Sequence, residues 1–436
     1  MTMSEQSRRD FMRNAAMGAA AGVFMVGTSR TSWAGANDRV RVAIIGIHGR
    51  GKDHLQNLLP MEDVEVATVC DVDERLFADF IKPIEKRYKK APKTEYDLRR
   101  VMEDKDIDAV TIATPNHWHS LAGVWACQAG KHVYVEKPCS HNVFEGRQLV
   151  EAAKKYNRVV QHGTQIRSNP SIREAIQKLH DGVIGEVYMA RGLCYKPRNT
   201  IGKEQDCPVP EGVHYDIWLG PAPERPFNPN RFHYNWHYMW DYGNGDLGNQ
   251  GVHQMDVARW GLGVELPTRV SAMGEMFIFD DDKEVPNVIT TSYWFPNAGT
   301  KGKMLVFEVR PWITNDEKGA KIGNLFYGTK GYMIIDSYTH YVIYDKDDNK
   351  IDEGKSEANH YRNFIDAVRA GDPSRVNAPI IEGHLSSSLC HLGLISARLR
   401  RSLDFDPATE TFVNDSEANA LLTRKYREPF VVPKIA

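Results

Sequence analysis

A short apolar run, Val40-Arg41-Val42-Ala43-Ile44-Ile45, stops at Gly46-Ile47-His48-Gly49-Arg50-Gly51. Few features restrict a chain so much. The run has strand length and is rich in branched residues. Glycines at its end permit a tight turn and let the main chain approach a phosphate. His54 to Leu59 then reads as the opening of a helix, and Val64 to Val69 as a second strand ending at Cys70-Asp71. Asp71 follows Gly51 by twenty residues, the spacing of an acid that holds a ribose hydroxyl. Strand, glycine loop, helix, strand and acid in that order predict a Rossmann-type dinucleotide site, with amide donors at the helix start meeting the pyrophosphate.

One position departs from the fingerprint. His48 stands where the middle glycine of G-x-G-x-x-G would be, with Gly49 displaced by one. A side chain there crowds the approach to phosphate. Asp71 is followed by Val72-Asp73 with no basic residue to neutralise a 2′-phosphate, which favours NAD over NADP.

Two more strand-like runs end in polar clusters. Ile107 to Thr114 leads into Pro115-Asn116-His117-Trp118-His119, and His132 to Val135 leads into Glu136-Lys137-Pro138. Ligands of doubly wound sheets bind at the carboxyl ends of strands, so Thr114, Pro115, Asn116, His117, Glu136 and Lys137 are expected beside the cofactor. A helix from Val143 to Tyr156 and a strand from Val159 to Gln161 close this half. Gln165 and Arg167 follow and are expected to face the cleft between domains.

These clusters, together with Gly251-Val252-His253-Gln254-Met255-Asp256 further on, resemble the glucose–fructose oxidoreductase / inositol dehydrogenase / MocA family over nearly all of the chain after its first 36 residues. The resemblance implies a Rossmann domain followed by an α/β domain with a large, mostly antiparallel sheet. That sheet often serves as an oligomer interface, so a homo-dimer or homo-tetramer is expected. It also implies hydride transfer on sugars, polyols or related carbonyls. Lys137 is the first catalytic candidate and His253 the second. A desolvated lysine beside a charged nicotinamide titrates nearer neutrality, and an imidazole is a natural proton acceptor there. In the family an acid commonly sits four residues before this histidine. Here it is Asn249, which can hold a substrate hydroxyl but cannot take its proton. Asp246 and Asp256 are the nearby acids.

Phe232 to Tyr242 is aromatic and polar together, and a sugar offers both C–H faces and hydroxyl edges. Trp236 and His237 are therefore substrate-binding candidates, along with Arg167, Tyr195, Asn249 and His253. A packed loop fits the same composition. Lys196, Arg198, Arg310 and Trp312 are weaker candidates. His117 and His119 imply no third ligand, so no metal is expected.

Residues 7–13 read Ser-Arg-Arg-Asp-Phe-Met-Arg, and an apolar stretch from Ala15 to Val26 leads to small residues at 32–36. This layout is that of a secretory signal of the twin-arginine type, with too few apolar residues to span a bilayer. Cleavage near Ala36 takes the net charge from -2 to -4. A periplasmic or otherwise exported protein without a membrane anchor is expected. Its organisation would be signal 1–36, Rossmann domain 37–162 and substrate or oligomerisation domain 163–436. A near-neutral chain carries no stripe for nucleic acid, and six cysteines without a C-x-x-C pair give neither a zinc knuckle nor a redox dithiol. An exported NAD enzyme should load its cofactor before export and keep it. Three functions compete: a sugar or glycoside dehydrogenase, a redox-neutral NAD-dependent glycosidase or lyase working through a transient 3-keto sugar, and a sugar-binding relative without catalysis. The His-Gly-Leu-Gly-Pro stretch associated with NAD-dependent glycosidases is missing.

From Asn359 the pattern is helical again, and Phe326 to Gly331 reads as a turn between strands. The tail ending Pro429-Phe430-Val431-Val432-Pro433 is expected to lie on a neighbouring surface.

Overall fold

The computed structural model describes residues 39–435; the signal expected over residues 1–36 lies outside them. Six strands, β1 (Val40–Ile45), β2 (Val64–Cys70), β3 (Lys93–Glu95), β4 (Ala109–Ile112), β5 (His132–Val135) and β6 (Val160–His162), form one sheet in the order β3-β2-β1-β4-β5-β6. Every pairing in it is parallel. Parallel strands need crossovers, and helices α1 (Arg50–Leu58), α2 (Phe77–Tyr88), α3 (Leu98–Glu103), α4 (Asn116–Gln128) and α5 (Val143–Lys155) lie between them in sequence. The order reverses at β1, so the crevice of a doubly wound sheet opens between β1 and β4. The first helix starts at Arg50, four residues before the expected His54, because the glycine loop itself turns into it. Strand β4 is shorter than the expected run from Ile107 to Thr114.

After α6 (Pro170–His180) comes a second sheet. Its strands are β7 (Val187–Cys194), β8 (Arg269–Glu275), β9 (Val288–Phe295), β10 (Lys303–Val309), β11 (Ile322–Gly328), β12 (Gly331–Ile335), β13 (His340–Asp345), β14 (Lys350–Lys355), β15 (Leu403–Asp406) and β16 (Thr411–Phe412). The order is β14-β13-β12-β11-β7-β10-β9-β8-β15-β16. It is antiparallel except where β7 meets β10, as expected of a large, mostly antiparallel sheet. The turn read at Phe326–Gly331 joins β11 to β12. Between β7 and β8 the chain makes a long excursion holding α7 (Tyr215–Leu219), α8 (Gly245–Asn249) and α9 (Gly251–Leu262).

Helix α9 packs on β7, and the approach is close because Gly192 has no side chain. A Cβ there would lie 2.5 Å from Phe307 and 3.4 Å from Gln254. Helix α11 (Ile380–Leu399) lies on the same core with Leu385, Leu389 and Leu392 buried. Two late segments return to the parallel sheet. Helix α10 (His360–Ala370) buries Tyr361, Phe364 and Ile365 against Val42, Ile44 and Leu58. Removing the Phe364 ring would cost about 3–5 kcal/mol. The tail buries Phe430 and Val432 beside Trp118. Cys70, Cys127 and Cys194 are buried core residues. Among the described residues no helix is long and apolar enough to cross a membrane.

Candidate active site

The glycine loop leaves β1 with Gly46 at φ +87, a region that disfavours side chains. A Cβ on Gly46 would sit 2.6 Å from the Ala113 carbonyl group, and one on Gly51 would sit 2.0 Å from the Gly46 oxygen. Those two glycines serve the turn and the close packing of α1. Gly49 is different: a Cβ there meets nothing within 4 Å, and the residue faces the cleft. Ile47 is fully buried and Gly51 is packed behind the loop, so neither lines the cleft. Ile47 contributes its amide, which donates to Asp71 Oδ2 at 2.7 Å. The other carboxylate oxygen accepts the Asp73 amide at 3.0 Å. Burial pushes the Asp71 carboxyl up to about 6, although these amides oppose the shift. The carboxylate is thereby fixed at the end of β2, on the cleft wall, where a ribose would lie. Loop, helix start and acid together fit a dinucleotide.

The His48 side chain stacks on His233 with ring centroids 4.0 Å apart and planes 20° off parallel. His233 Nε2 is 2.9 Å from Asp73 Oδ2. The imidazole that threatened to crowd the phosphate is thus held against a residue of the excursion. That excursion also covers the end of β2. The Glu74 amide donates to the Gly212 carbonyl at 2.9 Å, and the His214 amide to the Val72 carbonyl at 2.8 Å. The His214 ring stacks on Tyr96 at 3.8 Å.

At the end of β4, Thr114, Pro115 and Asn116 line the cleft. The Asn116 amide donates to Asn244 Oδ1 at 3.0 Å. His117 points elsewhere: its Nε2 lies 2.9 Å from the Trp218 carbonyl, and burial lowers it to about 3. It holds the roof rather than the cofactor. His119 lines the cleft instead, held between the Pro138 and Thr114 carbonyls at 2.6 and 2.7 Å.

At the end of β5, Glu136 is buried. Its Oε1 receives Arg50 Nε at 2.9 Å and lies 3.2 Å from His54 Nε2. Burial alone would raise this carboxyl, but the Arg50 charge and the His54 contact hold it well below the usual range. Gln165 stands behind it, donating to Tyr134 Oη at 2.9 Å and to Glu136 Oε1 at 3.3 Å, outside the cleft lining. Lys137 lies on the cleft wall. Its Nζ donates to the Asn249 carbonyl at 2.5 Å and to Asn249 Oδ1 at 3.3 Å. Burial lowers its ammonium to about 8; Glu136 opposes this, and Arg50, Arg198 and Lys196 add to it. His253, one turn along α9, is buried beside Tyr338 and does not line the cleft; its Nδ1 has no hydrogen-bond partner. Burial and then the Lys137 charge hold it well below its ordinary value.

Trp236, Asn249 and Gln250 close the far end with Lys196, Arg198 and Tyr234. Arg198 grips Asp246 with Nε at 3.0 Å and Nη2 at 2.6 Å, and donates to Tyr234 Oη at 2.6 Å. Asp246 is therefore committed and does not replace the acid missing at 249. Asp256 is committed as well, in a fork from Arg167 at 2.7 and 2.9 Å that also reaches Glu382. This places Arg167, expected at the substrate, in a buried ion network below the floor. Tyr195 is likewise placed away from the cleft. It follows Leu193 on the face turned away from α9, its hydroxyl donating to Glu308 at 3.1 Å under the Arg310 guanidinium. His237 is buried behind Trp236, its Nδ1 donating to the Tyr234 carbonyl at 2.5 Å; it too lies outside the lining. Arg310 and Trp312 line no part of it. Sequence reading did not single out Gln250, Tyr96 or His233 as site residues.

The cleft holds about 440 Å³, in the range of ligand sites. Residues 40–164 match the Gfo/Idh/MocA family model described as an oxidoreductase family with an NAD-binding Rossmann fold. Residues 186–284 and 320–432 match the model of that family's C-terminal alpha/beta domain. Among solved structures, the WlbA dehydrogenase from Bordetella pertussis, in complex with NADH and UDP-GlcNAcA, superposes with a TM-score of 0.63 at 17% identity, over 84% of this chain and 99% of that one. Levoglucosan dehydrogenase, in complex with NADH, gives 0.64 at 18% identity, over 84% and 99%. The Glycosyl hydrolase family 109 protein 1 of Shewanella sp. (strain ANA-3) is 31% identical over 152 residues, 34% of this chain and 33% of its own length. The chain thus matches about a third of the length of such curated relatives. With both halves matched and the dinucleotide cradle in place, the chain belongs to the Gfo/Idh/MocA oxidoreductase family and carries its NAD-binding Rossmann domain.

Proposed function

We propose that this protein oxidises a secondary hydroxyl of a sugar or glycoside, with Lys137 as the proton acceptor. The observation that carries the reading is the Lys137 amine, on the cleft wall at the end of β5, lowered to about 8 and anchored by the Asn249 oxygens. NAD, when bound, supplies hydride acceptance at the nicotinamide. A lysine so tuned is partly neutral near pH 8 and can take the hydroxyl proton. The Asn249 side chain offers an oxygen and an amide for substrate hydroxyls but no base, so proton transfer falls to the lysine. His253, held neutral by burial, adds no further positive charge to those of Arg50, Arg198 and Lys196 around the lysine. The acid at Asp71, with the nearest arginine, Arg75, taken up by Asp73 at 2.6 and 2.7 Å, favours NAD over NADP.

The similarity to Glycosyl hydrolase family 109 proteins favours a second reading, redox-neutral cleavage through a transient 3-keto sugar. One assay separates the readings. The purified protein is incubated with a glycoside panel while bound-nicotinamide absorbance and free aglycone are followed. A stable keto sugar with reduced cofactor supports dehydrogenation. Aglycone without net redox change supports the second reading, and binding without either supports a non-catalytic relative.

We also propose export by a twin-arginine-type signal with the nucleotide already loaded. The excursion over the end of β2 supports retention, since Val72, Glu74 and Asp73 all contact it. A homo-oligomer through the large sheet is part of the proposal. Trp294 and Met304, paired across β9 and β10, are both exposed on it, at 40% and 37%.

A further inference from the structure

The cleft has a charge left over. Its lining carries four basic side chains, Arg50, Lys137, Lys196 and Arg198, and three carboxylates, Asp53, Asp71 and Glu136. Arg50 is paired with both Glu136 and Asp53. Arg198 is paired with Asp246 behind it. Asp71 is taken up by the amides of Ile47 and Asp73. Lys137 rests on the Asn249 oxygens. Among the described residues, Lys196 has no hydrogen-bonding or ion-pairing partner for its ammonium, and no carboxylate of the lining is left to serve it.

Its position is set by the sheet. Side chains alternate faces along a strand. Gly192 and Cys194 of β7 face α9, and Lys196 continues that row past the strand end, while Tyr195 continues the opposite one. Lys196 therefore reaches the cleft at the end that holds Lys137, Asn249 and Trp236. Arg198, two residues on, is directed by its fork with Asp246. The pyrophosphate place is at the other side, on the glycine loop and the start of α1. A partnerless cation beside the reacting hydroxyl is costly to desolvate, and an anionic substituent on the substrate would satisfy it.

We propose that Lys196 receives a negatively charged group on the sugar ring, a carboxylate or a sulfate, and so selects acidic sugars over neutral ones. This rests on the sugar-oxidoreductase reading of the cleft. Lys196 stands as a specificity residue: it pairs with a part of the substrate that does not react.

The test uses the purified full-length protein with its nucleotide and three matched ligands in each of several ring configurations: a neutral methyl glycoside, its 6-carboxylate and its 6-sulfate. Calorimetry reads binding apart from turnover. Charge-assisted contacts of this kind predict about tenfold tighter binding of an acidic ligand than of its neutral partner. Lys196→Gln should bring the two to parity with neutral binding unchanged, and Lys196→Arg should keep the preference. Whichever acidic ligand binds tighter identifies the group. Equal binding of neutral and acidic ligands, a preference that survives Lys196→Gln, or a Lys196→Gln protein that loses its nucleotide would overturn the inference. A preference seen in binding without any keto sugar formed would instead overturn the dehydrogenase reading and leave Lys196's role standing. Keto sugar formed equally from neutral ligands would do the reverse.

Discussion

The Lys137 ammonium donates to the Asn249 carbonyl at 2.5 Å, so a residue on the Rossmann strand ends is aimed by the last residue of a helix from the excursion after β7. The partner is a main-chain oxygen that no substitution at 249 removes. Lys137→Met should lower turnover by roughly 10²–10⁴ and leave bound nucleotide in place. In the wild type the active form is the neutral amine. Oxidation should therefore rise with pH up to about 8 and level off above it. A kcat profile flat from pH 6 to 9 would remove Lys137 as the base.

Asn249→Asp tests the missing acid. A carboxylate placed 3.3 Å from the lysine favours its charged form. The pH profile of kcat should move to higher pH, an outcome that a merely structural asparagine would not give.

The stack of His48 on His233 predicts nucleotide retention. Aromatic pairs contribute about 0.5–1.5 kcal/mol, so His233→Ala should release bound NAD about 2- to 10-fold faster. Nucleotide remaining after repeated gel filtration measures this. Release unchanged in the variant would separate retention from the stack.

Arg167 and Tyr195 give a contrast. Arg167→Ala removes the fork on buried Asp256, leaving it the Ser386 hydroxyl and Arg259 at 3.8 Å, and should cost up to about 3–5 kcal/mol of stability, seen as a fall in Tm. Tyr195→Phe should leave KM within about twofold, since its hydroxyl meets Glu308 rather than the cleft. A strong KM effect from Tyr195→Phe would put the residue back at the substrate.

Buried histidines set the acid limit. His117, His162 and His391 are lowered to about 3, and His237 and His360 to about 4, each chiefly by burial. Above the ordinary value of 6.5 they are neutral in both folded and unfolded chains and cost nothing. As pH falls from 6.5 towards their folded values, the unfolded chain binds more protons and stability is lost. Tm should be flat from pH 7 to 8 and decline steadily from pH 6 to 4.

Local signals were legible. The glycine loop, Asp71 and Lys137 follow from strand ends and short spacings, and each lies on the cleft wall. What failed depends on partners far along the chain. Arg167 meets Asp256 and Glu382, 89 and 215 residues away, and no local pattern announces that. Tyr195 and Lys196 both follow the same strand, and the sequence alone does not separate them. Only the facing of Gly192 towards α9 decides which of two neighbours enters the cleft. Once that parity is known, Lys196 and Arg198 follow at positions two apart. The expected signal peptide lies outside the described residues.

The docking of residues 212–233 on the ends of β1 and β2 also orders events in time. When the first 164 residues have left the ribosome, the parallel sheet has all six strands but no α10 behind it, no His233 against His48 and no Asn249 to hold Lys137. Its nucleotide cradle is then an open tray. The covering pieces, His233 and Asn249, come from far along the chain, so a fragment ending near residue 164 would present the cradle uncovered.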